Sequence, residues 1–142
     1  MRTTPPVPDL AGQLRLTIAR TARRLRQEAG VELSPTLTAA LATIERHGPM
    51  TPSEVAARER IQRPTVTRLL ARLGEGGLVE RTPDPQDGRS CLVSTTPAGR
   101  ELLATLRTRK TAFLASRIEA LDAADRATLE RAAAILEGML EA

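Results

Sequence analysis

The chain has 142 residues, 21 basic against 17 acidic for a formal net charge of +4, with one histidine, one cysteine, one phenylalanine and neither tryptophan nor tyrosine. That length is one domain's worth, able to bury roughly two-thirds of its unfolded surface, and leaves no room for a separate catalytic domain. A single cysteine excludes an internal disulfide and fits a reducing cytoplasm, one histidine with a distant thiol cannot build a metal site, and no apolar run approaches the about 20 residues that span a bilayer.

The segment Met1 to Asp9, with Pro5, Pro6 and Pro8, reads as a flexible leader, and no signal peptide is expected before the first helix. In that helix Leu10, Leu14, Ile18 and Leu25 line one side, while Arg15, Arg20, Arg23, Arg24 and Arg26 occupy much of the remainder. Residues 1 to 30 thus hold six arginines against Asp9 and Glu28, a balance of +4. Ser34-Pro35 and Thr51-Pro52 each set a hydroxyl before a proline. The hydroxyl can accept from the orphan amides of a first helical turn and the proline presets its backbone angle, so a helix is expected to start at each. The earlier of the two closes at His47, before Gly48-Pro49, where an imidazole favours the helix C-terminus. Glu54 follows Thr51 at capping-box distance. Val55 and Ala56 then point inward and Ile61 closes a turn. Pro64 fits the first turn of the next helix, whose cap, Gln62 or Arg63, is a poor one. The amide donors left free there suit a phosphate, or mark an ordinary uncapped helix end.

In that helix Val66, Leu69, Leu70 and Leu73 recur at helical spacing and belong to a core. The other side carries Arg63, Thr65, Thr67, Arg68 and Arg72, of which Thr65, Arg68 and Arg72 share one stripe. Arginines mixed with short hydroxyls suit a DNA major groove, where arginine pairs with guanine edges and threonine touches phosphates or a thymine methyl; a solvated polar face is the alternative. Gly76-Gly77 ends the helix, Leu78 to Thr82 and Cys91 to Thr95 read as short strands, and Pro83 to Ser90 is the loop between them. Such a loop has too little apolar content to pack, and it projects as a wing. At its tip Arg89 follows Asp84, Asp87 and Gly88, so a carboxylate can hold either the loop or the guanidinium in one posture. A narrow minor groove attracts an arginine so placed, although Asp87 and Arg89 can equally form a surface ion pair of little worth. Residues 51 to 90 hold seven arginines against six acids, only +1, so this segment is basic by placement and not by sum. Cys91 reads as a small, half-buried strand residue.

Thr96-Pro97 starts a long helix through Leu102, Leu103, Leu106, Phe113, Leu114 and Ile118. Asp122 can cap a final helix bearing Leu129, Ala132, Ala133, Leu136, Met139 and Leu140. Together with the first helix this is more apolar helical surface than a small winged lobe can cover. It calls for a dimer interface or an intramolecular three-helix cap. Catalysis finds no support, because the chain has no glycine-rich phosphate loop, no nucleophile beside a base and no histidine placed between acids.

The run Thr51-Pro52-Ser53-Glu54-Val55-Ala56, the helix from Pro64 to Leu70, Gly77-Leu78-Val79-Glu80-Arg81, and above all Asp84-Pro85-Gln86-Asp87-Gly88-Arg89 followed by Thr95-Thr96-Pro97-Ala98-Gly99, resembles the MarR family (multiple antibiotic resistance regulators). The resemblance implies a mostly α fold with a small β-wing. In it a winged helix-turn-helix lobe spans 31–96, and dimerisation helices are supplied by residues 1–30, leader included, and 97–142. It further implies a cytoplasmic homodimer that binds a pseudopalindromic double-stranded DNA operator, acts as a repressor, and is released by a small-molecule effector, aromatic or anionic. That effector would sit where the first, second and long helices meet the winged lobe. DNA contacts carry over to Arg63, Thr65, Thr67 and Arg68, with Arg72 on the same face, and to Arg89 in the wing, supported by Asp87. Pro64 departs from the pattern, since members commonly carry a small hydroxyl residue there. Thiol-sensing members keep a reactive cysteine in the first helix, where this chain has none. No cofactor, metal, enzyme activity or membrane role is expected. Two other classes compete: a winged module meeting an acidic protein partner, or non-specific binding of nucleic acid. Single strands and RNA are disfavoured, since Phe113 is the only aromatic and offers no stacking platform.

Overall fold

The computed structural model describes residues 2–30 and 33–142; Met1, the first residue of the expected leader, and Val31 and Glu32, the first two of the expected lobe, lie outside the described residues. In chain order the elements are α1 (Val7–Ala29), α2 (Pro35–His47), α3 (Pro52–Glu59), α4 (Arg63–Glu75), β1 (Val79–Pro83), β2 (Cys91–Thr95), α5 (Pro97–Glu119) and α6 (Ala123–Glu141). They fall into two compact units, residues 29–108 and residues 1–28 with 109–142, with α5 contributing to both. The architecture is the mostly α fold with a two-stranded wing that the sequence pattern implies.

Helix starts follow the hydroxyl-proline pairs. Ser34 Oγ accepts from the Leu37 amide at 3.2 Å and Thr51 Oγ1 from the Glu54 amide at 3.2 Å. Thr96 Oγ1 accepts from the Gly99 amide at 3.1 Å while donating to the Gly77 carbonyl at 2.6 Å, so the cap of α5 is tied to the turn that ends α4. Asp122 Oδ1 caps α6 through the Asp125 amide at 2.8 Å. The start of α4 is different: Gln62 makes no side-chain cap bond. At the other end of α4, Gly77 takes a φ of 71°. The Leu78 amide then reaches the Leu73 carbonyl at 2.9 Å and the Gly77 amide the Gly74 carbonyl at 3.0 Å, the paired bonds that satisfy the last orphan carbonyls of a helix.

Two expectations need correcting. The leader does not run to Asp9, because α1 begins at Val7 and takes Pro8 and Asp9 into its first turn. A proline there gives up an amide that has no helical partner, and an acid there faces the positive helix end. The amides of Asp9 and Leu10 both close on the Pro6 carbonyl at 3.1 Å. The first strand is displaced by one residue, to Val79–Pro83, since Leu78 spends its amide on the α4 terminus.

The core of the 29–108 unit is built from Leu37, Leu41 and Ile44 of α2, Val55 of α3, Val66, Leu70 and Leu73 of α4, Val79 and Val93 of the strands, and Leu103 of α5. Each such side chain contributes about 1.5–3 kcal/mol when taken fully out of water. Ala56, Ile61, Leu69, Leu78 and Cys91 pack against this core half-buried, the position expected for Cys91. β1 and β2 pair antiparallel from Val79 opposite Thr95 to Pro83 opposite Cys91. Met50 adds a bridge on the other edge of β2, exchanging both backbone bonds with Val93 at 3.0 and 2.7 Å, and its side chain is fully buried. The unit of residues 1–28 and 109–142 is unlike it. α6 buries no residue at all, and the long apolar side chains Val7, Leu10, Leu16, Ile18, Leu114, Ile118, Leu129, Ile135, Met139 and Leu140 are exposed.

Candidate nucleic-acid interface

The helix-turn-helix is α3, a three-residue turn and α4. Arg60 enters the turn in the left-handed conformation (φ 53°), and the Ile61 amide returns to the Ala56 carbonyl at 3.1 Å, so the chain reverses within one residue and Ile61 drops onto the core. With Val66, Leu70 and Leu73 buried, helical periodicity leaves Arg63, Thr67, Arg68 and Arg72 exposed and Thr65 half-buried. Their states differ. The Arg63 guanidinium donates to Ser53 Oγ in the first turn of α3, fastening the two helices of the motif. The Thr67 hydroxyl donates to the Arg63 carbonyl at 3.1 Å. Arg68 and Arg72 have no partner among the described residues and extend their donors into solvent.

The wing is organised by its carboxylates. Asp84 Oδ1 accepts from the Gln86 amide at 2.9 Å and Asp87 Oδ1 from the Arg89 amide at 3.0 Å, two turns of the kind aspartate makes with the backbone two residues on. The Ser90 amide closes on the Asp87 carbonyl at 3.0 Å, and the Asp84 amide on the Ser90 carbonyl at 3.2 Å. Of the two postures open to Asp87, the structure adopts the first: the carboxylate holds the loop backbone. The Arg89 guanidinium stays exposed with no partner among the described residues. A loop fixed at its backbone while its arginine stays free is suited to presenting that arginine to an anion.

Three contacts of the lobe have no forerunner in the sequence pattern. Thr43 of α2 donates to the Glu59 carboxylate of α3, Arg58 Nη1 lies 3.4 Å from His47 Nε2, and Ser53 receives Arg63. All three brace α3, the short helix on which the turn hangs. Side-chain pairs between elements carry no periodic signal, so only a tertiary structure exposes them. His47, in the last turn of α2 as expected, therefore also reaches α3.

Known proteins agree with this geometry. The MarR family profile matches residues 33–91. An HTH-type transcriptional regulator of Mycobacterium tuberculosis is 36% identical over 133 residues, 93% of each chain. A crystal structure assigned as a transcriptional regulator protein of Pseudomonas aeruginosa is 33% identical, covers 98% of this chain and 99% of its own, and superposes with a TM-score of 0.85. A variant of Staphylococcus aureus MepR bound to an oligodeoxyribonucleotide, 17% identical over 92% of this chain and 97% of its own, shares the fold with a TM-score of 0.72. With the winged helix-turn-helix in place and that identity along nearly its whole length, the chain belongs to the MarR family and is a DNA-binding transcriptional regulator.

Proposed function

We propose that this chain is a cytoplasmic repressor that binds a pseudopalindromic operator as a homodimer, reading base edges with α4 and the minor groove with the wing, and leaving DNA when a small-molecule effector binds. The observation that carries the reading is the outer face of α4, where Arg63, Thr67, Arg68 and Arg72 are exposed and Thr65 half-buried, opposite a closed apolar core. Arg68 is the base reader and Arg72 a phosphate contact; Arg89 enters the minor groove with Asp87 holding its loop. Homodimerisation is supported by the other unit, where ten large apolar side chains among the described residues stand exposed in one copy. Two copies present two recognition helices, so half-sites about one helical turn apart are expected. An effector that prefers one spacing of the two lobes releases DNA without touching it.

The test is fluorescence anisotropy of labelled duplex from the promoter upstream of its own gene, with scrambled duplex as competitor, for wild type and Arg89→Ala. Preference for the promoter that collapses in Arg89→Ala supports the reading. Equal weak binding of both duplexes, at every promoter tiled across the neighbouring genes, refutes it. Arg68→Ala should cost about 1–3 kcal/mol and relax preference at one base position, whereas Arg72→Ala should weaken all duplexes alike.

A further inference from the structure

α1 carries a second basic feature that DNA reading does not use. A groove of about 530 Å³, within the range of small-molecule sites, is lined by Thr17, Arg20, Arg23, Arg24 and Gln27 of α1 and by Phe113 of α5. Thr17, Arg20, Arg24 and Gln27 recur at helical spacing and share one face. Arg24 and Arg117 place their guanidinium carbons 5.4 and 5.1 Å from the centre of the Phe113 ring. The ring thereby positions two cations. Three guanidiniums, those of Arg20, Arg23 and Arg24, thus line one groove, and Arg117 stands over its Phe113 wall. The carboxylate among them is Glu28, already paired with Arg24 at 2.8 Å. Arg20 and Arg23 have no counter-ion among the described residues. Like charges three and four residues apart weaken a helix, so this arrangement is costly when empty and relieved by an anion.

We propose that the groove binds a small phosphate monoester. Guanidiniums match phosphate oxygens bidentately, and a phosphate monoester carries about −1.5 to −2 at neutral pH with three acceptor oxygens, which suits two free arginines better than a monoanion does. Phe113 supplies the apolar wall for the body of the ligand. This deepens the effector part of the proposed function by giving it a chemical class. Because ligand binding is measured directly, its failure leaves the DNA-binding and dimer readings standing, and promoter binding of the same samples reports on those.

Isothermal titration of the full-length protein at pH 8 and low salt, with phenyl phosphate against benzenesulfonate, compares a dianion with a monoanion of the same body. Phenyl phosphate should bind at least about tenfold more tightly, and Arg20→Gln/Arg23→Gln should lose about tenfold or more. Arg15→Gln/Arg26→Gln removes the same charge from α1 outside the groove and should retain binding; circular dichroism confirms that both double variants are folded. No binding at millimolar phenyl phosphate, equal affinity for the two probes, or equal loss in both double variants overturns the proposal. Displacement of phenyl phosphate by a duplex lacking the operator also overturns it, because the arginines would then serve a nucleic-acid backbone.

Discussion

Gly99, in the first turn of α5, is buried with its Cα against the Leu78 carbonyl, and a methyl group there would lie 2.7 Å from Thr95 Cγ2 and closer still to the Leu78 oxygen. The oxygen belongs to a backbone held by the Thr96 amide at 3.0 Å, so it cannot swing aside as a side-chain end could. Gly99→Ala therefore forces α5 off the strand pair, and overpacking of this kind costs about 1–3 kcal/mol. An unfolding entropy of about 2.1 cal/mol/K per residue over 142 residues gives about 0.3 kcal/mol/K, so each kcal/mol moves Tm by about 3 °C and the expected fall is about 3–10 °C. Gly74→Ala is the matched control: that helical glycine has nothing within 4 Å of the added carbon, and alanine should raise Tm by about 2–3 °C through helix propensity. Calorimetry at one fixed protein concentration reads both, since the proposed dimerisation would make Tm concentration-dependent. A Gly99→Ala protein as stable as wild type would refute the claim that this contact fixes the start of α5.

The Thr95 hydroxyl is buried without a hydrogen-bond partner among the described residues, so Thr95→Val should stabilise the protein by about 1 kcal/mol in urea denaturation, because the stranded polar group is removed at nearly constant shape. Arg60→Gly relieves a left-handed residue and should add about 1 kcal/mol while leaving promoter affinity within about twofold. Asp87→Ala removes the acceptor that holds the Arg89 amide and should weaken promoter binding about threefold to tenfold, less than Arg89→Ala, as measured by anisotropy. Ile135→Glu on α6, where the side chain is 60% exposed in one copy, should lower the mass found by multi-angle light scattering from two chains toward one.

Much of this structure is legible in the chain because the signals are local. The hydroxyls of Ser34, Thr51 and Thr96 announce three helix starts, and each accepts the amide three residues on. The missing cap at Gln62 is equally visible. At Thr51 the forward bond forms, yet Glu54 makes no return bond to the Thr51 amide among the described residues, so only half of the capping box is realised. The errors have physical causes. Three prolines before Asp9 look like a leader, but Pro8 sits where a helix can accept it. Met50 carries no periodic neighbours, so its bridge to Val93 and its complete burial appear only once β2 is placed. The sign of the wing contact was also open: an aspartate near an arginine can serve a guanidinium or a backbone amide, and only the loop's geometry shows the amide engaged.

The side chains proposed to meet DNA are not equally ready for it. The guanidiniums of Arg68, Arg72 and Arg89 hold no intramolecular bond among the described residues, whereas that of Arg63 is bound to Ser53 and the Thr67 hydroxyl to the Arg63 carbonyl. For Arg63 a phosphate would replace an existing hydrogen bond, so its net gain is the difference between two contacts. For the other three a contact with DNA replaces only one with water. Unequal weights are expected across a face that sequence spacing alone makes uniform, with Arg63 serving first to fasten α3 to α4. The same logic separates the two units. Residues 29–108 close their own core around Leu41, Ile44 and Val93, while α6 closes none. A lobe that closes its own core and helices that leave apolar faces exposed fit the proposed dimer, in which the assembly would set the spacing of two readers and an effector would act on that spacing.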